Sequence, residues 1–428
     1  MSAERVLVVG GGVAGIAAAR TLAERGALPL VLEATGALGG NCGGFRAGGF
    51  RFDLGLHCFF TTDPRAQAQV DALMGGRGRE RPLREVVHQD GRWLPYPPLR
   101  NLAAYPDAGT VTLPDRPLST PPPDAAAAVR AQVGDELAER FVLPQLRKHW
   151  GADPRTLPAG VARSGGLAPA EEILAGARAP LDEPPGRTWQ YPPVGGFAAY
   201  IERLAEGVPV RFGARVVRVD LDRREVTLDG GEVLPYEHLV SSMPLPALVA
   251  ALCPAPSAGV LGRAAALPHS SLTLVSLGVS TVDAPAPWVY SFDEDVPWVR
   301  ATFPAEMDPA AAPPGTAAVQ AEVYWRGRRP DAATLAEEVT ASLRRLGLLP
   351  RGADVLVRDV RTVRYANTCA SDEDRAFVDG LLADLQDRGV SAAGRYARWD
   401  NGRFDQTLVR ATDLAGRIVP AQAAGRAG

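Results

Sequence analysis

A chain of 428 residues with 46 basic and 49 acidic side chains, net charge -3, is long enough for two or three lobes with developed cores, and it offers neither a basic face for nucleic acid nor an acidic tail. Its four cysteines, Cys42, Cys58, Cys253 and Cys369, form no C-x-x-C and its five histidines never fall at zinc spacing, which argues against a disulfide scaffold and a metal site. The longest apolar run, 243–267, is broken as a membrane span by prolines 244, 246, 254 and 256, and no secretory leader opens the chain, so the expectation is a protein of the reducing cytoplasm acting on a small molecule.

The chain opens with a buried-strand run, "RVLVVG", a glycine turn, the helix-forming "AGIAAARTLAERG" ending at Gly26, and a second strand, "PLVLE". Strand, helix, strand of these lengths predicts a βαβ unit with parallel strands. Proline-rich loops follow around 82–123, then an amphipathic stretch from Asp124, a plausible N-cap, to Trp150, with Val129, Val133, Leu137 and Phe141 every four residues. Residues 208–240 alternate and turn at Asp222–Arg224 and Gly230–Gly231, predicting a β-meander that returns through "HLVSSMP" to the first sheet. Strand-like runs between 269 and 325 predict an antiparallel sheet, and "TLAE" from Thr334 fits a capping box opening a helix to about Leu349. A helix over 372–388 closed by Gly389, a short strand "GVSAAG" and a last helix starting near Asp405 complete the chain. Lys148 is the single lysine, and the wealth of arginine, alanine, glycine and proline suits a GC-rich bacterial genome.

Gly10, Gly12 and Gly15 make G-x-G-x-x-G between the first strand and its helix, with Glu33 at the end of the second strand. The first glycine permits the tight turn, the second lets backbone approach a pyrophosphate, the third allows close helix packing, and Glu33 can accept from a ribose. A dinucleotide is the expected ligand, and the motif leaves FAD and NAD open. Paired glycines in "EATGALGGNCGG" would let backbone pass over the same ligand.

The line from Val6 to Asn41 resembles the FAD domain of the amine oxidase and protoporphyrinogen oxidase superfamily, and "LGGNCGGFRAGGFRFDLGLHCFFT" resembles the UDP-galactopyranose mutases within it. "HWGADPRTL", "TWQYPPVGGFAAYIERLA", "WVYSFDEDVPWVRATFP" and "GRYARWDNGRFDQTL" are similar to further segments of the mutases, in order and over nearly the whole chain, chiefly of the eukaryotic type. The resemblance implies an α/β fold in which a Rossmann-like FAD-binding domain (1–60, 185–245, 350–428) carries a mainly helical insertion (61–184) and an antiparallel-sheet substrate domain (246–349). It implies FAD contacts from Gly10, Gly12, Gly15, Glu33, Gly39, Gly40 and Asn41, adenine pairing by the backbone of Val217, and a flavin end held by Arg395, Asp405 and Gln406. If Asp405 opens the last helix, the positive helix end would stabilise reduced flavin. His57 would lie against the flavin ring, where an imidazole titrating near neutrality could tune the redox state. His88 and His149 have no such context and are read as structural or exposed.

In the mutases, reduced flavin attacks the anomeric carbon and a pair of arginines clamps the diphosphate. Those arginines fall on Gln190 and Ser280 here, one sugar-site tyrosine falls on Asp400, and another is kept as Tyr365. Two lost phosphate contacts would cost about 1.5–3 kcal/mol each, unless Arg187 or Arg300 compensates. The expectation is therefore an FAD-dependent oxidoreductase acting on a small organic molecule. The alternatives are a redox-neutral nucleotide-sugar mutase and a non-catalytic flavin-binding protein. Gln190, Ser280, Tyr365 and Asp400 are the candidate substrate-pocket residues.

Overall fold

The structure, a computed structural model, describes residues 5–75, 79–105, 111–114, 120–164, 166–179 and 188–420. A five-stranded, all-parallel sheet runs in the order Val390–Ala392, His238–Ser241, Arg5–Val9, Leu28–Leu32, Val210–Arg211. Its centre joins the beginning, middle and end of the chain. Alternation along the first strand sends Val6 and Val8 to one face and Leu7 and Val9 to the other. The first face is covered by the helices Val13–Glu24 and Phe404–Ile418, which pack on each other through buried alanines such as Ala18, Ala411 and Ala415. The second face is covered by the meander Val216–Asp220, Glu225–Leu228, Val233–Pro235. The predicted meander thus begins later than 208, because Val210–Arg211 pairs with the parallel sheet instead.

The stretch 124–150 is helical and buries Val129, Val133, Leu137 and Phe141, with the Asp124 carboxylate accepting from the Ala127 N–H. It is not one helix. Gly134 breaks it at φ 81°, and a π turn, Ala138–Val142, precedes the helix Leu143–Trp150, where Pro144 has no N–H to continue the ladder.

A seven-stranded sheet has the order Val355–Thr368, His269–Val279, Ala317–Trp325, Arg300–Thr302, Trp288–Ser291, Val86–Gln89, Arg92–Pro95. It is antiparallel except between Trp288–Ser291 and Val86–Gln89. It recruits three strands from outside 246–349. The helix expected from Thr334 spans Ala332–Arg345, capped by Asp331, whose carboxylate accepts from both the Thr334 N–H and hydroxyl. An aspartate three residues upstream captures the free N–H that the capping-box reading assigned to threonine. Among the described residues no helix is long and apolar enough to cross a membrane and no side-chain cluster could hold a metal ion.

Candidate active site

Gly10 turns the chain out of the first strand at φ 104°, a left-handed conformation that suits glycine, and a Cβ there would lie 2.2 Å from the Ser242 hydroxyl. A Cβ on Gly15 would lie 1.9 Å from the Gly10 carbonyl oxygen, so the third glycine lets the helix sit directly on the turn. The Gly39–Gly40 loop closes over this turn, the Gly39 N–H donating to the Gly11 carbonyl at 2.9 Å and Gly12 bridging to Gly39. Glu33 is buried. Its Oε1 accepts from the N–H and hydroxyl of Thr35, and its Oε2 from the Gly11 N–H at 2.7 Å, which leaves Oε2 the freer oxygen for a ribose. The ladder from Val216–Asp220 slips register between Val216 and Arg218, so the peptide groups of Val217 stand outside it and its side chain is exposed. That suits backbone pairing with an adenine.

At the far end of the parallel sheet, Arg395 Nη2 donates to Asn367 Oδ1 (2.8 Å) and Asn401 Oδ1 (2.9 Å), while its Nε is buried without a partner. Asn41 spends its amide on the Tyr365 carbonyl and the Tyr396 hydroxyl. The last helix starts at Phe404 with Arg403 as its cap, so Asp405 lies in its first turn rather than opening it. Burial pushes the Asp405 carboxyl up, but hydrogen bonds from Arg403 and Thr61 outweigh it and hold the group below its ordinary value. Gln406 Oε1 accepts from the Arg403 N–H at 3.1 Å. Asp405 and Gln406 thus fix the helix start.

His57 is half-buried, its Nδ1 3.1 Å from the Gly55 carbonyl and its ring 5.2 Å from that of Phe197. Burial, reinforced by Arg300 and Arg395, pulls its pKa to about 4 against the opposing Gly55 and Glu322. The imidazole is therefore neutral at pH 7, which corrects the expectation of a group titrating near neutrality. The Leu56 N–H, next to it, donates to Glu322 Oε1 at 2.6 Å. Glu322 is fully buried, and Oε2 accepts from Arg300 Nη2 (2.6 Å) and the Tyr324 hydroxyl (3.0 Å). Burial raises its pKa, but the Arg300 charge and these donors prevail and lower it, so it stays ionised. Arg300 Nε is buried with no partner. Tyr290 donates to Glu85 at 3.1 Å and stacks on Tyr96 with ring centres 4.3 Å apart, and burial holds Tyr96, Tyr290 and Tyr324 well above the ordinary phenol range.

Of the expected pocket residues, Gln190 exchanges both backbone hydrogen bonds with Phe59, two residues from His57, and its Oε1 is buried without a partner. Tyr365 lines a cavity of about 520 Å³ with Asn41, Arg361 and Tyr396, and its ring meets Trp399. Asp400 lines a different hollow, about 1380 Å³, and pairs with Arg410 at 3.2 Å. Ser280 is elsewhere. It exchanges hydrogen bonds with the backbone of Asp354 at the end of its strand, six residues past Leu274, the partner of Glu322, which at ~3.3 Å per residue is ~20 Å away. A straight strand carries the matched "GVS" segment out of the pocket. Arg187 lies outside the described residues. His88 bonds Asp293, whereas His149, read as structural or exposed, stands beside Tyr324 with ring centres 5.0 Å apart. Glu85, Tyr96, Tyr290, Glu322 and Tyr324 were missed. The available signal was a glutamate in the middle of the apolar strand "AAVQAEVYW", where period two puts Glu322 and Tyr324 on one face.

The profile of the flavin-containing amine oxidoreductases matches residues 13–419, and the chain belongs to this family. Its cofactor is FAD. A crystal structure of reduced UDP-galactopyranose mutase superposes with a TM-score of 0.88 at 22% identity, covering 97% of this chain and 95% of that one. A protein assigned as a protoporphyrinogen oxidase from Exiguobacterium sp. 255-15 gives 0.73 at 19% over 99% and 100%. A putrescine oxidase variant gives 0.66 at 16% over 97% and 99%. At these identities the likeness is one of fold. No curated protein matches.

Proposed function

We propose that the chain is an FAD enzyme of the sugar-mutase type, rearranging a sugar that carries an anionic nucleotide group without net oxidation. FAD would lie along the cradle with its pyrophosphate over Gly10, Gly12, Gly15, Gly39 and Gly40, its ribose on Glu33 and its adenine on the Val217 backbone. Arg395, whose buried Nε lacks an acceptor, and the helix start fixed by Asp405 and Gln406 would hold the ring end, with Asn41 and His57 flanking it. Bound there, FAD supplies two-electron chemistry or, when reduced, a nucleophilic nitrogen.

The observation that carries the reading is Arg300. It brings a permanent charge to the turn bearing His57 and keeps one buried N–H without an acceptor, which a phosphate oxygen would satisfy. With Ser280 remote, only Gln190 stands against a phosphate clamp. Tyr290 and Tyr324, kept protonated, already donate to Glu85 and Glu322, so toward a sugar they offer a hydroxyl oxygen that accepts. Glu322 already accepts from three donors, whereas neutral His57, which gives its Nδ1 proton to Gly55, keeps a lone pair on Nε2 for a substrate hydroxyl.

Gln190 favours a second reading, an oxidoreductase acting on a small organic molecule. A neutral amide whose buried Oε1 lacks a donor suits a hydroxyl or amine rather than a phosphate. Either reading assigns the FAD domain to 1–60, 185–245 and 350–428 less the strand Val355–Thr368, which joins the seven-stranded sheet of the substrate lobes 61–184 and 246–349. The four free cysteines accord with a reducing cytoplasm. The test is to reduce the protein anaerobically, add UDP-galactopyranose and separate the nucleotide sugars. Conversion that requires reduced flavin yet consumes no reductant supports the mutase. Bleaching of oxidised flavin by an amine or alcohol alone, with nucleotide sugars inert, transfers the assignment to the oxidoreductase.

A further inference from the structure

All five histidines are described, and four have a ring nitrogen within hydrogen-bond reach of another group: His57 with Gly55, His88 with Asp293, His238 with Ser391 and His269 with Leu267. Among the described residues, the ring of His149 makes no such bond, although it is half-buried and faces Tyr324. Nor is it loosely held. Its carbonyl accepts from Asn367 Nδ2 at 3.3 Å, and Asn367 also receives Arg395, which ties the helix end to the flavin motif. The next carbonyl, that of Trp150, accepts from the Ser270 hydroxyl at 2.8 Å. Gly151 then lies so close to the neighbouring strand that a Cβ would be 2.3 Å from the Trp325 Cα. The fold positions the imidazole and leaves its nitrogens unused. Its nitrogens are not sealed from solvent, so a ligand entering there would take the place of water.

His149 faces Tyr324, whose hydroxyl donates to Glu322, and Glu322 accepts from the Leu56 N–H beside His57, so a continuous set of contacts links the two rings. Burial pulls His149 to about 4 as well, so at neutral pH one nitrogen donates and the other accepts.

Resting on the mutase reading for the identity of the substrate, we propose that His149 is the contribution of the helical insertion to substrate recognition, hydrogen-bonding a hydroxyl or phosphate oxygen of the substrate across the pocket from His57. It selects the substrate and has no part in the chemistry. Sequence reading passed it over because the end of a helix gives no periodic sign of what it faces.

The test uses the FAD holoenzyme. His149→Ala should raise the Kd for UDP-galactopyranose, measured calorimetrically on the reduced protein, about tenfold, while FAD content, flavin spectrum and reduction potential stay unchanged. His149→Gln, which can still donate and accept, should recover most of the loss. Equal affinity in wild type and His149→Ala would overturn the proposal, as would a changed flavin potential in both variants, which would put the ring against the cofactor. If the wild type does not bind the sugar nucleotide at all, the mutase reading falls and His149 is judged by carbethoxylation of the holoenzyme. Diethyl pyrocarbonate should modify His149 ahead of the four bonded histidines, and a His149 that resists the reagent removes it from the pocket.

Discussion

The two halves of the site are built differently. The dinucleotide end comes from one short run, Gly10 to Gly40, and is satisfied from within: Glu33 is bonded to Gly11 and Thr35, and Gly39 to Gly11, before any ligand arrives. The other end is a side-chain cluster joined from distant segments around 56–58, 85–96, 149, 290–300 and 322–324, and Arg300 Nε and Gln190 Oε1 are buried there and unpaired. A preformed cradle fits a cofactor the whole family shares. Arg395 Nε, buried and unpaired at the flavin end, shows that the cofactor site too keeps one group open.

The sharpest break of that contrast is Gly15→Ala. A Cβ 1.9 Å from a backbone oxygen has no flexible neighbour to move, so the cost should reach or exceed the ~3 kcal/mol upper end of ordinary overpacking. Flavin absorbance per chain and the thermal midpoint should both fall. Next comes Arg300→Met, which leaves Glu322 charged and alone in the interior, at about 3–5 kcal/mol by chemical denaturation. Adding Glu322→Gln should restore stability without restoring substrate affinity, and failure to restore it would mean that Arg300 supports the fold in another way.

A third effect is read in pH. Asp53 accepts from the Tyr191 hydroxyl and the Phe197 N–H, while the neighbouring Arg51 pairs with buried Asp308. Burial pushes its pKa from 3.8 to about 7, against the hydrogen bonds from Tyr191 and Phe197 and the charge of Arg51, and Asp308 adds to the rise. A raised carboxyl pKa means that the folded state binds the proton more tightly than the unfolded one. Its stability penalty is absent below about pH 4, grows between 4 and 7 and is constant above. Denaturation between pH 5 and 8 should show a downward slope with rising pH that Asp53→Asn removes.

Smaller still, His57→Ala should leave the pH dependence of the flavin potential unchanged between pH 5 and 8, because the imidazole is already neutral there. A change would show that FAD restores its titration. Ser280→Ala should cost about 1 kcal/mol or less and leave turnover unaffected.

What the sequence revealed follows the same division. Gly10, Gly15 and Glu33 could be read because their tasks are local and each acts within its own strand, turn and helix. Val129 to Phe141 could be read because four-residue spacing is enough to define a buried face. Arg300 and Glu322 face each other only through the pairing of strands Arg300–Thr302 and Ala317–Trp325, and Leu56 reaches Glu322 from the loop after the strand Phe50–Asp53. Such register is a long-range fact that no window of residues contains. Ser280 shows the converse: a matched motif travels with its strand wherever the pairing takes it.

The parallel sheet has a consequence for how the protein is made. Its middle strand, Arg5–Val9, leaves the ribosome first, whereas its edge strand, Val390–Ala392, and the helix Phe404–Ile418 that covers it come last. At about 5–20 residues per second the early part waits roughly 20 to 80 seconds for its neighbours. Until then the face of Val6 and Val8 has only the helix Val13–Glu24 over it, and Arg395 and the last helix are absent from the cofactor site. Flavin capture is therefore a late event, and nascent chains would depend on chaperones rather than on the vitamin for protection.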